Sequence, residues 1–273
     1  MIDINKNYNE SNLETLKRIP DNTIDLTVTS PPYDNLRIYK GFTMDWKELI
    51  KELYRTTVNG SVVVWVVGDS TQKGSETGTS FKQALFAMEC GFNMHDTMIY
   101  QKSTPPLTHN RYEQNFEYMF VWSKGKPNVF NGLREPREYK DTRKSKAFGR
   151  NKDNSVDFGY STQDETRLKR NVWKYFAGGG ANDKTASKHP AIFPEQLAND
   201  HILSWTNEND LVYDCFMGSG TVAKMSILNN RNWIGSEISS EYCEIIEERV
   251  KKALGGKRKE KDLQAQTLFN ELN

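Results

Sequence analysis

The chain has 273 residues, with 37 Lys or Arg against 36 Asp or Glu and a formal net charge of +1. That length suits one large α/β domain, or one domain carrying an insertion, and near-neutrality excludes a polyelectrolyte surface, so any nucleic-acid contact must be a local patch. Three scattered cysteines (Cys90, Cys215, Cys243) and four scattered histidines argue against a disulfide framework and against any metal site. No apolar run approaches the roughly 18 residues of a membrane span, and "MIDINKNYNES" lacks the order of a secretion signal, so the expectation is a soluble, cytoplasmic protein with no membrane partner.

In chain order, "NLETLKRIP" carries Leu13, Leu16 and Ile19 at helical spacing, with Pro20 as a stop. "TIDLTVTS" predicts a β-branched strand that runs into Pro31 and Pro32. "WKELIKELYRTTV" (Trp46–Val58) predicts a helix with Leu49, Leu53 and Tyr54 inward. "GSVVVWVVGD" is too continuously apolar to face water, so it belongs centrally in a sheet covered on both faces. The helix "SFKQALFAMECGF" closes at Gly91, and the strands "HDTMIYQK" and "EYMFVWSKG" follow. From Lys126 to about Ala186 the chain turns polar, charged and aperiodic. Regular structure resumes with "HPAIFPEQLANDHILSW", a helix holding Pro194 in its first turn. Then come the strand "LVYDCF", a glycine turn, the helix "TVAKMSILNN", the strand "NWIGSEI", the helix "SEYCEIIEERVKKAL" and a basic tail, "GGKRKEK". This alternation predicts an α/β fold with a doubly wound, mostly parallel sheet, whose ligands gather outside the carboxyl ends of the strands.

Two stretches lie at such ends. In "DCFMGSGT" (Asp214–Thr221), Gly218-x-Gly220-x-x-Ala223 fits a nucleotide-binding turn, and Glu237 ends the next strand, where a carboxylate can accept from both ribose hydroxyls. The plain alternative is a strand-to-helix turn shaped by glycines. A nicotinamide dehydrogenase needs further strands after its glycines, whereas here the remaining strands come before them. Asp214 at the strand end suits a cationic ligand better than a pyrophosphate, and S-adenosylmethionine meets that demand. In "SPPY" (Ser30–Tyr33), Pro31 and Pro32 make a stiff elbow with free carbonyls beside the Ser30 hydroxyl and the Tyr33 ring. Such a set can hold a planar base with an exocyclic amine, or it can be a rigid loop with a half-buried tyrosine.

Taken together, "SPPY", "KHPAIFPEQL" (Lys188–Leu197) and "DCFMGSGT" resemble the motifs of the DNA amino-methyltransferases, and their order is that of the beta group. Cys215 stands where that family has proline, and it reads as a packing residue rather than a nucleophile. The resemblance implies a Rossmann-like methyltransferase fold and S-adenosylmethionine as cofactor. It implies methylation of the exocyclic amine of a flipped DNA base, with serine at the head of the tetrapeptide leaning toward N4 of cytosine and N6 of adenine as the alternative. Ser30, Pro31, Pro32 and Tyr33 would be catalytic. Asp214, Phe216, Gly218, Gly220, Thr221, Glu237 and Phe193 would bind the cofactor, and His189 reads as structural. A homodimer and a companion restriction nuclease complete the implied partners.

Residues 134–170 hold eleven Lys or Arg against seven Asp or Glu, interleaved with Tyr139, Phe148, Phe158 and Tyr160. This is either a solvated loop or a DNA surface. The family keeps its target-recognition region at this place, which points to Arg134, Arg137, Lys140, Arg143, Lys144, Lys146 and Arg150 as DNA-binding residues. The expected organisation is a catalytic half over 1–125, the recognition insertion over 126–186, a cofactor-binding half over 187–256 and the tail over 257–273. "GSETGTS" (Gly74–Ser80) reads as a lid or an ordinary loop. "AQTLF" (Ala265–Phe269) is similar to peptides that dock on sliding clamps, with a frayed terminus as the default. Besides the dehydrogenase, a non-enzymatic nucleic-acid-binding module stands as the competing class.

Overall fold

The computed structural model describes residues 2–32, 44–103, 111–137, 145–150, 152–153, 155–161, 165–176 and 193–271. In chain order the first strands are β1 (Lys6–Tyr8), β2 (Ile24–Thr29), β3 (Thr57–Val67), β4 (Thr71–Gln72), β5 (Ser75–Glu76), β6 (Asn93–Lys102) and β7 (Phe116–Ser123). After them come β8 (Arg134–Pro136), β9 (Ser145–Arg150), β10 (Val156–Ser161), β11 (Thr166–Leu168), β12 (Val172–Tyr175), β13 (Leu211–Asp214) and β14 (Asn232–Ser236). The helices are α1 (Asn12–Arg18), α2 (Trp46–Thr56), α3 (Thr79–Glu89), α4 (Glu195–Trp205), α5 (Thr221–Leu228) and α6 (Ser240–Glu271).

Eight strands form one sheet in the order β1-β14-β13-β2-β3-β7-β6-β12, and within it only β7 runs antiparallel to its neighbours. The expected doubly wound α/β fold is therefore present. From β2 the chain moves outward through β3 toward β12, then returns to lay β13 on the other side of β2. That reversal makes the β2/β13 boundary the switch point, where parallel sheets open a crevice at their carboxyl ends. β3 sits mid-sheet as its sequence predicts, with Val63, Val64, Trp65 and Val66 completely buried.

Helices cover both faces. α1, α2 and α3 pack through Leu16, Leu49, Ile50, Leu53, Ala84 and Ala87 against Val63, Trp65 and Trp122. Alternation along a strand turns the intervening residues the other way, toward α4, where Met119 Sδ lies 3.4 Å from His201 Nε2. Local chemistry sets the helix starts: the Ser11 hydroxyl accepts from Glu14 N (3.3 Å), and the Asp45 carboxylate accepts from Glu48 N (3.1 Å). Among the described residues, no helix is long and apolar enough to cross a membrane.

Several elements differ from the expectation. β1 was not anticipated, because three residues are too few to show a period, and it forms by pairing with β14. "GSETGTS" is no plain loop: Gly74 shares the turn of the β4–β5 hairpin with Lys73, both at positive φ, Ser75–Glu76 form β5, and Thr79 and Ser80 open α3. Arg111 steadies that hairpin by donating to Thr71 Oγ1 and Gly74 O, at 2.9 Å each. Pro194 caps α4 from outside rather than entering its first turn. The final helix continues through the basic tail to Glu271 instead of stopping near Leu254. Gly255 and Gly256 cost only about 1 kcal/mol each in a helix, and the Lys, Glu, Gln and Leu residues beyond them are good helix formers.

The aperiodic stretch also contains strands. One compact unit comprises Met1–Asn131 with Asn171–Asn273, and a second comprises Gly132–Arg170. The second is built of two antiparallel pairs, β8 with β11 and β9 with β10, in which Phe148 opposes Phe158 and Lys146 opposes Tyr160. β12 belongs to the main sheet, beside β6.

Leu53 is fully buried between helix and sheet, with nothing polar to compensate its loss. We expect Leu53→Ala to lower unfolding free energy by about 2–5 kcal/mol, read from the urea midpoint at unchanged slope.

Candidate functional site

β2 and β13 lie side by side in parallel, with Tyr213 opposite Thr27, so their last residues meet at the switch point. There the Thr29 hydroxyl donates to Asp214 Oδ1 at 2.7 Å, and both residues are buried. The next residues after Thr29 are Ser30 and Pro31–Pro32; the next after Asp214 open the glycine turn. One hydrogen bond thus joins the roots of two stretches that lie 185 positions apart in the chain. Ser30 and Pro32 are half-buried and Pro31 is buried. Tyr33 lies outside the described residues, as do His189 and the Lys188–Ile192 portion of the further motif.

The turn is held from within. Phe216 N also donates to Asp214 Oδ1 (3.0 Å), and Met217 N donates to Ser236 O (3.0 Å). Gly218 and Gly220 adopt φ of 54° and 80°, the left-handed region that glycine enters at little cost, and Gly220 caps the start of α5. Gly218 N donates to Glu237 Oε2 (2.8 Å) while Ser239 N donates to Glu237 Oε1 (2.9 Å). Glu237 is itself placed by β1: its N–H donates to Tyr8 O (3.0 Å), and Asn9 Nδ2 donates to its carbonyl (2.9 Å). Thr221 is buried at the head of α5, and Phe216 and Phe193 are half-buried.

Electrostatics marks the same spot. Burial pushes the Asp214 carboxyl up to about 7, with the nearby Glu237 charge adding to the rise and the donors Thr29 and Phe216 opposing it. Burial likewise raises Glu237, against the backbone donors at Ser239 and Gly218. Among the described residues both hydrogen bonds to Asp214 fall on Oδ1, leaving Oδ2 for a ligand's cationic group. Both Glu237 oxygens accept backbone N–H groups, and a carboxylate's four lone pairs leave capacity for a hydroxyl. Two carboxylates at neighbouring strand ends, beside a glycine turn, therefore fit an adenosine bearing a cationic amino acid. Cys215 is buried, its thiol pushed well above the ordinary range by that burial, so it packs rather than attacks.

Sequence reasoning missed four of the residues that build this place. Thr29 read as one more strand residue. Arg249 read as part of a solvated helix, yet it is 1% exposed and donates to Ser219 O (2.5 Å), Ser219 Oγ (3.0 Å) and Thr221 Oγ1 (3.2 Å). Glu195 and Lys224 looked like surface charges, yet Glu195 Oε1 accepts from both Arg249 Nη2 and Lys224 Nζ, at 2.6 Å each. Only Glu195 carried a signal, as part of the motif "FPEQL".

In the second unit, Arg134 donates to Thr166 Oγ1 (2.8 Å) and Thr166 O (2.9 Å) across the β8–β11 pair, so this guanidinium braces its own unit. Arg137 is half-buried just past β8. Lys146 and Arg150 lie on β9, while Lys140, Arg143 and Lys144 fall outside the described residues. No group of three potential metal ligands occurs among the described residues. A shallow hollow lined by Lys51, Tyr54, Phe86, Glu89 and Cys90 shares no residue with the strand-end cluster.

Comparison with known proteins agrees with this architecture. A family model described as DNA methylase matches residues 24–248. The orphan methyltransferase M.BamHII of Bacillus amyloliquefaciens is 53% identical over 242 residues, covering 86% of this chain and 91% of that protein. The type II methyltransferase M.BglII of Bacillus subtilis is 26% identical over 252 residues, covering 89% and 68%. The fold is shared with the PvuII DNA methyltransferase, described as cytosine-N4-specific (TM-score 0.64, 18% identity, 92% and 93% covered). It is shared also with M1.HpyAVI in complex with SAM (TM-score 0.58, 23% identity, 90% and 98% covered).

Thr29→Val keeps the shape of the side chain and removes the donor to Asp214. It should destabilise the protein by about 1–3 kcal/mol in denaturant titration. Asp214 also imposes a pH dependence. Its folded pKa of about 7 exceeds the reference value of 3.8, so the folded state holds the proton more tightly. The group's contribution is full below the lower value and is lost as pH rises through the upper one. Melting curves of Asp214→Asn should lack that decline, giving a flatter stability profile than wild type between these two values.

Proposed function

The chain belongs to the DNA methylase family, as a beta-group, S-adenosylmethionine-dependent amino-methyltransferase, and on that premise we propose that it methylates N4 of cytosine in DNA through Ser30–Tyr33 and Asp214–Thr221. The Thr29–Asp214 hydrogen bond carries this reading, because it fixes the root of the base-holding elbow against the root of the cofactor turn.

The exocyclic amine of cytosine is a poor nucleophile while its lone pair is delocalised into the ring, and it is out of reach inside a duplex. The base therefore flips outward, at a cost of a few kcal/mol. Tyr33 stacks on the extruded ring and fixes its plane. The Ser30 hydroxyl oxygen and the Pro31 carbonyl accept from the two amine hydrogens, which turns the lone pair out of conjugation. Pro32 keeps that elbow from relaxing. When bound, the cofactor supplies an electrophilic methyl group. Asp214 would face its cationic amino-acid end, Glu237 would accept from the ribose hydroxyls, Phe193 would cover the methionine portion, and Phe216, Gly218, Gly220 and Thr221 would line the pocket. Nitrogen and methyl held in line would gain on the order of 7–11 kcal/mol over free encounter. The N–C bond would form as the methyl's S–C bond breaks to leave a neutral thioether, and the amine would release one proton past its hydrogen-bond acceptors to solvent.

The serine at position 30 supports cytosine over adenine, though both bases present the same kind of amine. Arg134, Arg137, Lys140, Arg143, Lys144, Lys146 and Arg150 would contact DNA, with phosphates as the first partners of so basic a stretch. The recognition insertion would span residues 126–186, between catalytic (1–125) and cofactor-binding (187–256) halves, with the unit Gly132–Arg170 as its compact part and β12 lent to the main sheet. A cytoplasmic location belongs to the same proposal. Homodimer formation is carried as part of this reading. On a companion nuclease the relatives' names divide, since one is an orphan methyltransferase and others are type II enzymes.

Tyr33→Ala should lower kcat/KM for DNA methylation by about tenfold to a hundredfold, the worth of one base–aromatic stack. Binding of S-adenosylhomocysteine should be unchanged in the same variant. Nucleosides digested from methylated DNA should weigh as N4-methylcytosine; N6-methyladenine alone would reassign the target base.

A further inference from the structure

We propose that Arg249 is a positioning residue for the methyl-donor site, one that ties the glycine turn to the head of α4 and so sets the spacing between the two segments that grip the cofactor. The inference rests on the functional reading above. Arg249 sits on α6, 29 residues past Gly220 in sequence, and its side chain is 1% exposed. A guanidinium removed from water to that degree is tolerable only with strong partners. The partners it takes are informative. Nη1 donates to the carbonyl and hydroxyl of Ser219 and to the Thr221 hydroxyl, all in the turn, while Nη2 donates to Glu195 at the first position of α4.

Ser219 lies between two glycines in the left-handed region, where backbone freedom is greatest. Without a cross-tie this segment would pay heavily in entropy to hold one shape. Phe193 stands two residues before Glu195, so the same carboxylate that receives Arg249 also anchors the chain covering the methionine portion. Lys224, on α5, adds a second cation to that carboxylate oxygen and draws the heads of α4 and α5 together. The planar fork of arginine spans turn and helix at once, whereas a lysine ammonium is a single point on a shorter reach. Arg249→Lys should therefore keep the charge and lose the tie.

The test uses the full-length protein. For wild type, the Kd of S-adenosylhomocysteine is measured by calorimetry, and the KM values for S-adenosylmethionine and for DNA are measured separately. In Arg249→Lys, the Kd and the KM for the cofactor should rise about tenfold to a hundredfold, as for lost hydrogen bonds to a charged group. The kcat and the KM for DNA should stay within about threefold. Glu195→Gln, which leaves the turn's bonds to Arg249 but weakens the anchor, should shift the cofactor terms in the same direction by a smaller factor. If Arg249→Lys proves too unstable to purify, Glu195→Gln carries the test through its cofactor Kd and KM. A folded Arg249→Lys with unchanged cofactor Kd and KM overturns the proposal, and so does one in which the KM for DNA rises equally. A wild-type protein that binds no S-adenosylhomocysteine would instead sink the functional reading itself.

Discussion

The buried bond from Thr29 to Asp214 is the constraint on which the site depends. It needs two parallel strands in fixed register, each ending at the same level, and that register is set by the apolar faces on both sides of the sheet. A slip of one residue would move every core side chain to the opposite face, against helices shaped for different partners. Packing thus does the positioning: the buried residues of β2, β3 and β13 hold the strand ends level, and the hydrogen bond then selects how the two following loops leave the sheet. The crevice that results is a consequence of topology, since it opens where the chain reverses its direction of winding.

Charge is handled economically around that crevice. Three ionisable groups, Asp214, Glu237 and Arg249, are largely withdrawn from water, and each is met by donors or acceptors fixed in the backbone or on neighbouring helices. Among the described residues Asp214 has donors on one oxygen alone and burial raises its carboxyl, whereas Arg249 is richly paired. The contrast suits a ligand site. A carboxylate left short of positive charge can gain a cationic partner on binding, while a buried cation already satisfied can hold the surrounding turn still without competing for that ligand.

The unit Gly132–Arg170 obeys a different logic. Its two antiparallel pairs use short strands with charged and aromatic residues at adjoining positions, and cross-strand bonds such as Arg134 to Thr166 and the Arg167–Glu135 ion pair (2.8 Å) hold them together. Little of it is apolar enough to build a core, which is why composition read it as structureless. Short ribbons of this kind gain their order from backbone pairing, a quantity with no signature in a window of residues. The same holds for β1, and for the β4–β5 hairpin, whose turn at Lys73 and Gly74 is braced by Arg111 from a distant segment.

By itself the sequence determined the alternation of strands and helices, the central placement of β3, and the positions of the elbow and the glycine turn at strand ends. Those features are local, written in hydrophobic period and in the backbone habits of proline and glycine. It also determined the family, because three motifs in order are improbable by chance. Tertiary structure alone decided that Thr29 rather than any motif residue joins the two halves, that Glu237 holds the turn through Gly218, and that a helical arginine with every appearance of a surface charge is buried beneath it. Hydrogen bonds between residues far apart in the chain depend on strand order and helix packing, and neither periodicity nor composition encodes which distant partner a polar side chain will meet.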